Sequence, residues 1–291
     1  MTIAPPDGSR DRRIEDPTNL WLIHPTSRVL LPLALRRGIS ANAVSLTGAA
    51  LGIGAAFAYW HWQDWRAALL GFALMLLWLV ADGLDGMVAR ATNTASAIGR
   101  LLDGVCDHGV FILIYCTLAT NIGTAAGWAL AISGGAAHAM QSSLYESERY
   151  RFHRRIKGDS GAVPALRSGN ILERGYDAFA GTLDRMSAPF DRLLRRNPEP
   201  KALGEEYGRK AVPVLRFMAL LTANVRVIAI FVACIAGSPA FFWWFELVPL
   251  TAITIIGIVW HRRVEAALVV EHAFDAPAEK TKIRLQNHSS R

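Results

Sequence analysis

The chain has 291 residues, of which 52% are apolar and only 19% charged, yet 31 Lys and Arg against 24 Asp and Glu leave a net charge of +7. Disordered chains need low hydrophobicity, so this composition excludes them. A basic chain that is poor in charge also argues against a nucleic-acid-binding protein. The three cysteines lie in apolar runs without metal-ligand spacing, which indicates buried thiols rather than disulfides or a zinc site. The composition fits a membrane protein with its charge in the loops.

The first 40 residues are too charged and too rich in proline for a signal peptide. Within them, residues 18–37 mix Trp and Leu with His24, Arg28 and Arg36. This mixture predicts an N-terminal amphipathic helix that lies in the membrane interface.

The rest of the chain contains apolar runs long enough to cross a bilayer, which takes about 20 residues each. We identify six, at about 41–60, 67–88, 101–120, 124–145, 212–236 and 240–260. The two termini and the even-numbered connections hold 28 of the 31 basic residues. The positive-inside rule therefore places both termini and the second connection in the cytoplasm. The predicted fold is an all-α integral membrane protein with six transmembrane helices plus the interfacial helix. Its segments are 1–40, 41–147 (spans one to four), 148–210 (a cytoplasmic insertion), 211–261 (spans five and six) and 262–291 (a cytoplasmic tail).

The insertion contains a regular apolar stripe. Its members follow one another at intervals of four and three residues: Leu172, Tyr176, Phe179, Leu183, Met186, Phe190 and Leu193. This pattern predicts an amphipathic helix, bent at Pro189. A membrane-surface helix is the favoured interpretation, and a partner-binding stripe is the alternative.

Four carboxylates flank the second connection. Asp82 and Asp85 are three residues apart at the end of span two, and Asp103 and Asp107 are four apart at the start of span three. Each pair shares a helix face, and a reversal at about Thr92–Ala97 would bring the two faces together. Ionisable residues inside spans are functional by default, and clustered carboxylates suit Mg²⁺ or Mn²⁺ in a two-metal site.

Small residues accompany these carboxylates. Gly86 lies one turn after Asp82, on the same face, where a missing side chain would let a nucleotide or diphosphate approach the backbone. Close helix packing is the alternative explanation.

The whole pattern resembles the signature of the CDP-alcohol phosphotransferases (CDP-alcohol phosphatidyltransferases). Its eight fixed positions are all matched, by Asp82, Asp85, Gly86, Ala89, Arg90, Gly99, Asp103 and Asp107. The resemblance implies transfer of a phosphatidyl group from CDP-diacylglycerol to an alcohol with release of CMP, at the cytoplasmic face of a bacterial inner membrane. It also implies that two divalent cations are held by Asp82, Asp85 and Asp103, that Asp107 is the general base and touches a metal, and that Gly86, Ala89, Arg90 and Gly99 contact the donor.

The acceptor site is less well marked. A polar stripe in span four (His138, Ser142 and Arg149) and two arginines of span five (Arg216 and Arg226) are the candidates. Arg226 lies too deep to reach the surface easily, so we expect it to point into a cavity, at a phosphate, or to pair with one of the four Asp. The alternative for the stripe is interhelical hydrogen bonding.

Rows of small residues predict close helix contacts. One runs through Gly48, Gly52 and Ala56 and another through Gly127, Ala131, Gly135 and Ala139. The family is often homodimeric, so one row is a candidate dimer interface.

Three other functions compete with this interpretation. A CDP-linked small alcohol could donate to a lipid acceptor, and the signature serves both directions. A prenyltransferase would need a second Asp-rich motif, but no Asp occurs between Asp191 and Asp275, and Glu246 is expected near the outer loop. A cation-binding transporter would use the four Asp but has no need of the Gly and Ala positions.

Overall fold

The computed structural model describes residues 11–94, 97–161 and 185–288. Within these ranges the regular structure is entirely helical, which confirms the all-α class. The α-helices are α1 (His24–Arg36), α2 (Ala41–Tyr59), α3 (Trp65–Ala91), α4 (Ala97–Ile122), α5 (Ala125–Arg155), α6 (185–196), α7 (Pro200–Met218), α8 (Ala223–Ile235), α9 (Ala240–Phe245) and α10 (Thr251–His288). Two π-helical segments (Asn19–Ile23 and Glu246–Leu250) and a 3₁₀ turn (Ala219–Leu221) complete them.

The chain forms two compact units. The first comprises Met1–Ser142 and Ala219–Ala252, and the second comprises Ser143–Met218 and Ile253–Arg291. The signature therefore lies in the first unit, while the insertion and the C-terminal part of the chain belong to the second.

Large apolar side chains from several helices form the core of the first unit. Tyr59, Met75, Ile114 and Trp243 are fully buried there. The ring of Trp78 on α3 meets Phe111 on α4 edge to face, with ring centroids 5.5 Å apart. Because aromatic pairs prefer this geometry, the contact helps to fix α3 against α4 just below the signature.

The predicted N-terminal helix is present as Asn19–Ile23 followed by α1. It is amphipathic: Trp21 is 79% exposed and Val29 66%, whereas Ser27 and Ala34 are buried. Its location in a membrane interface stays a prediction.

Several helices coincide with the predicted spans. Among the described residues, Ala41–Tyr59, Trp65–Ala91 and Ala240–Ala273 are long and apolar enough to cross a membrane. A fourth crossing requires the bent pair Pro200–Leu221 and Ala223–Ile235 to act together. These apolar helices make the chain an integral membrane protein. They provide three or four candidate spans among the described residues, and the predicted six are not confirmed. Helix α5 is less apolar than these helices, because it contains Gly134, Gly135, His138 and Gln141.

The predicted fifth span is not one straight helix. The chain bends by 42° between Pro200–Leu221 and Ala223–Ile235, with a 3₁₀ turn before Thr222. Buried Asp16 holds this break, because its carboxylate accepts hydrogen bonds from Thr222 Oγ1 and Asn224 Nδ2, each at 3.0 Å. The periodicity of the apolar residues could not show this tertiary contact.

The second unit contains the described part of the amphipathic stripe. Phe190 is 1% exposed and packs on Tyr207 with ring centroids 5.0 Å apart, whereas Leu193 is half-buried and Met186 is 54% exposed. Protein therefore covers the stripe at Phe190 but not at Met186, and the membrane-surface interpretation stays a prediction. Leu172, Tyr176, Phe179 and Leu183 lie outside the described residues.

Candidate active site

Asp82 and Asp85 lie in the last turns of α3. Asp82 is half-buried, whereas Asp85 is only 6% exposed. The hydroxyl of Ser45 on α2 donates a hydrogen bond of 2.6 Å to Asp85 Oδ2. A buried carboxylate needs such donors, because burial removes its hydration.

Glycines bring the neighbouring helices close to this end of α3. A Cβ added to Gly48 of α2 would lie 3.3 Å from Ala81 Cβ, and one added to Gly83 of α3 would lie 3.0 Å from Ser27 Oγ of α1. The Ser27 hydroxyl reaches Val80 O at 2.9 Å. The carboxylates therefore lie on a helix end that is clamped by α1 and α2.

An apolar layer supports the same region. Its buried members come from α1, α2 and α3: Ala34, Val44, Ala81, Leu84 and Val88. Because α3 buries these side chains on two neighbouring helices, the rotation of its last turns is fixed.

A short turn follows α3, as predicted. Thr92 caps the helix, Asn93 adopts a φ of 54°, and α4 begins at Ala97. Asn is one of the few residues other than Gly that readily adopts this left-handed conformation. Residues 95 and 96 lie outside the described residues, so the predicted reversal is followed only as far as Thr94.

Asp103 and Asp107 lie one turn apart in the first part of α4. Their side chains, that of Arg100 and the surroundings of Gly99 are outside the part of the chain that the structure describes. The first carboxylate pair therefore lies near the end of α3 and the second in the first part of α4, and both their convergence and their joint coordination of metal stay predictions.

The surface beside Gly86 is occupied by Arg90. A Cβ added to Gly86 would lie 3.2 Å from Arg90 Nη1, so the missing side chain leaves room for the guanidinium. Ala89 is half-buried next to it. A cation over this turn is well placed to attract an anionic diphosphate.

The acceptor candidates are divided between the units. In the first, His138 Nδ1 lies 3.3 Å from the Tyr115 hydroxyl, and Ser142 is half-buried. In the second, Arg149 pairs with Glu146 at 2.6 Å, and Arg216 is exposed.

Arg226 is fully buried in the first unit and makes contacts with protein groups. Its Nε donates to Glu246 Oε1 and its Nη2 to Gln141 Oε1, each at 2.9 Å, and its Nη1 donates to Leu221 O. Tyr115 donates to the same Glu246 oxygen at 3.0 Å. Arg226 therefore stabilises the break before α8, and its partner is Glu246 rather than one of the four Asp. Glu246 is itself fully buried, and its position near an outer loop stays a prediction.

A second acidic cluster, Glu148, His261 and Glu265, lies in the second unit, with its ligand atoms within 4.8 Å of one another. Both carboxylates already form hydrogen-bonded ion pairs with arginines. Arg262 donates to Glu148 and Glu265, and Arg155 donates to Glu265. Both nitrogens of His261 are also engaged, by Glu148 and by the Tyr207 hydroxyl at 2.7 Å. This donor set fits an ion-pair network rather than a divalent cation.

Sequence reasoning overlooked Ser45, Gly83 and the Arg226–Glu246 pair. The signal for Ser45 was its place one turn before Gly48 on the small-residue face of α2. That face points at α3 and α4, since a Cβ on Gly52 would lie 2.3 Å from Val110 Cγ2. This row therefore serves contacts within the chain.

A comparison with family models agrees with this site. The model described as CDP-alcohol phosphatidyltransferase matches residues 39–146, from just before α2 into α5. A comparison with curated proteins gives no match. The matched range contains both carboxylate pairs and the turn between them. Over residues 39–146 the chain is therefore similar to this family, which confirms the resemblance of the signature.

Proposed function

We propose that the protein transfers a phosphatidyl group from CDP-diacylglycerol to an alcohol acceptor and releases CMP. The family supports transfer of a phosphatidyl or phosphoalcohol group in general. The observation that carries the proposal is that Asp82 and Asp85 lie near the end of α3 and Asp103 and Asp107 in the first part of α4, all within the matched residues.

The residues fit a pair of divalent cations. Asp82, Asp85, Asp103 and Asp107 offer hard oxygen ligands of the kind that Mg²⁺ and Mn²⁺ prefer. Asp85 is buried and hydrogen-bonded, as a preorganised ligand should be. When bound, such cations would neutralise the diphosphate of the donor and the phosphate of the leaving CMP.

The remaining roles follow from the chemistry of the transfer. Asp107 accepts the proton of the acceptor hydroxyl as its oxygen attacks the phosphorus of the phosphatidyl group. The bond from this phosphorus to the oxygen that bridges it to the cytidine phosphate breaks, and CMP leaves. Arg90 contacts the diphosphate, while Gly86, Ala89 and Gly99 let the donor approach the backbone. His138, Ser142, Arg149 and Arg216 are the proposed acceptor residues.

Assembly and orientation belong to the same proposal. Both termini and the active site face the cytoplasm of a bacterial inner membrane, and the chain works as a homodimer. The distribution of basic residues supports the orientation.

The decisive experiment measures CMP release by the purified full-length protein in lipid nanodiscs. CDP-diacylglycerol is supplied with serine, glycerol 3-phosphate, inositol, inositol 1-phosphate or phosphatidylglycerol, in Mg²⁺ or in EDTA. Parallel reactions supply a CDP-linked small alcohol as the donor with a lipid acceptor. We expect Mg²⁺-dependent CMP release with one of these acceptors. Release only from CDP-linked small alcohols would favour the reverse arrangement of donor and acceptor, and no release from any donor would favour a cation transporter.

A further inference from the structure

Ser45 lies beside the carboxylate pair although it is outside the signature. It is 8% exposed on α2, and its hydroxyl lies 2.6 Å from Asp85 Oδ2 and 3.2 Å from Ala41 O. A serine hydroxyl has one proton to donate. The shorter distance and the negative charge of the carboxylate assign that proton to Asp85.

The approach of α2 to α3 is built to hold this contact. Gly48 lies one turn after Ser45 and allows the helices to meet, since a Cβ there would lie 3.4 Å from Trp78 Cδ1 and closer still to Ala81. Val44, next to Ser45, is buried in the layer with Leu84 and Val88. Both partners of the hydrogen bond are thus on helices that cannot easily rotate or separate.

We propose that Ser45 is a positioning residue that holds the Asp85 carboxylate in its metal-binding orientation. This inference rests on the proposed function, because it takes Asp85 as a ligand. Hydrogen bonds to ligating carboxylates fix their rotation, and loss of such a partner typically lowers metal affinity 10- to 100-fold. Because Ser45 is on α2 and Asp85 on α3, the hydroxyl also makes the metal site depend on the packing of these two helices.

The test is Mn²⁺ binding by the full chain in nanodiscs, measured from the free-ion signal in electron paramagnetic resonance. We expect Ser45→Ala to raise the Mn²⁺ dissociation constant about tenfold. Ser45→Thr keeps the hydroxyl and should bind within about twofold of the unsubstituted protein. Thr47→Ala is the matched control, because the Thr47 hydroxyl is exposed and donates to Ala43 O of its own helix at 2.8 Å.

A second measurement separates positioning from a general structural role. If Ser45 acts through the metal ligand, Ser45→Ala should raise the Mg²⁺ concentration for half-maximal CMP release, and excess Mg²⁺ should restore kcat. An unchanged Mn²⁺ affinity in a folded Ser45→Ala variant would overturn the inference, as would a loss of activity that excess Mg²⁺ does not restore. Failure of the proposed function is distinguishable, because the unsubstituted protein would then neither bind Mn²⁺ nor release CMP.

Discussion

At the scale of single residues, the proposed function divides the four signature carboxylates into ligands and a base. We expect Asp107→Asn to abolish CMP release, because the amide cannot accept the proton of the acceptor hydroxyl. Metal-dependent binding of CDP-diacylglycerol should be preserved, because the three other carboxylates still hold the metals. Turnover and donor binding would be measured on the same preparation. Normal turnover by this variant would remove Asp107 from the role of base.

Asp85→Ala provides the opposite case. Loss of a buried ligand should abolish both the Mg²⁺ dependence and the donor binding, because the diphosphate then lacks its counter-charge. Isothermal titration with CDP-diacylglycerol, with and without Mg²⁺, checks this expectation. Metal-dependent donor binding that survived in Asp85→Ala would contradict the ligand assignment.

Glu148 tests the ion-pair network of the second unit. It is fully buried, and burial alone would raise its pKa, but Arg262, His261 and Arg151 outweigh burial and hold the pKa well below its ordinary value. The Glu148 carboxylate therefore takes up a proton at a higher pH in the unfolded state than in the folded state. The stability from Glu148 is present above the ordinary glutamate pKa of about 4.3 and is lost as the pH falls through the depressed pKa of the folded state.

We expect Glu148→Gln to reduce the free energy of unfolding at neutral pH by about 3 kcal/mol, because buried arginines lose their counter-charge. Glu146→Gln is the control two residues away, since the Glu146 side chain is 63% exposed. Its pair with Arg149 should contribute less than about 1 kcal/mol. Thermal or denaturant unfolding of both variants in detergent gives the comparison. Equal effects would show that the buried network does not stabilise the unit.

At the scale of helices, the small-residue face of α2 was predictable but its partner was not. The spacing of Gly48 and Gly52 predicts close packing, which is found, while the sequence left open whether the partner is another copy. The structure gives α3 and α4 as the neighbours of this face. The spacing of small residues shows that another helix can pack closely on that face. Which helix packs there depends on contacts between residues that are distant in sequence.

Gly52 tests this packing. We expect Gly52→Ala to destabilise the protein by about 1–3 kcal/mol, because the new Cβ would lie 2.3 Å from Val110 Cγ2 and valine is rigid. Adding Val110→Ala should recover most of the loss. Gly109→Ala is the control, since nothing lies within 4 Å of a Cβ there. Unfolding temperatures in detergent would be compared, and an additive double variant would contradict the predicted contact.

At the scale of the whole molecule, the positions of the helices were predictable because apolar runs of span length are visible in the sequence. The break before α8 was not, because it depends on Asp16, which lies about 200 residues away and accepts hydrogen bonds from the side chains of Thr222 and Asn224. The sequence showed that Arg226 lies too deep in an apolar run to reach solvent. Its partner Glu246 could not be predicted, because the two residues lie on different helices and meet only in the folded chain. The periodicity of apolar residues in the sequence therefore does not predict which buried polar residues pair in a membrane protein.

This break decides how many times the chain crosses the membrane. A non-helical turn is tolerated at membrane depth where its backbone groups are satisfied by protein, and Arg226 supplies that partner to Leu221 O. The buried charge of Arg226 is matched by Glu246 at 2.9 Å, so the segment also avoids an unpaired ion in the bilayer. The bent pair Pro200–Leu221 and Ala223–Ile235 can therefore cross the membrane as one span.

Alkaline phosphatase fusions test this topology, because the enzyme is active only outside the cytoplasm. We expect activity for fusions after Asp64 and after Ser238, and none for a fusion after Lys157, which follows a strongly basic segment. Green fluorescent protein at the same positions should give the inverse pattern and controls for expression. An inactive fusion after Ser238 would make the bent pair a re-entrant loop, and it would leave α10 to start from the cytoplasmic side.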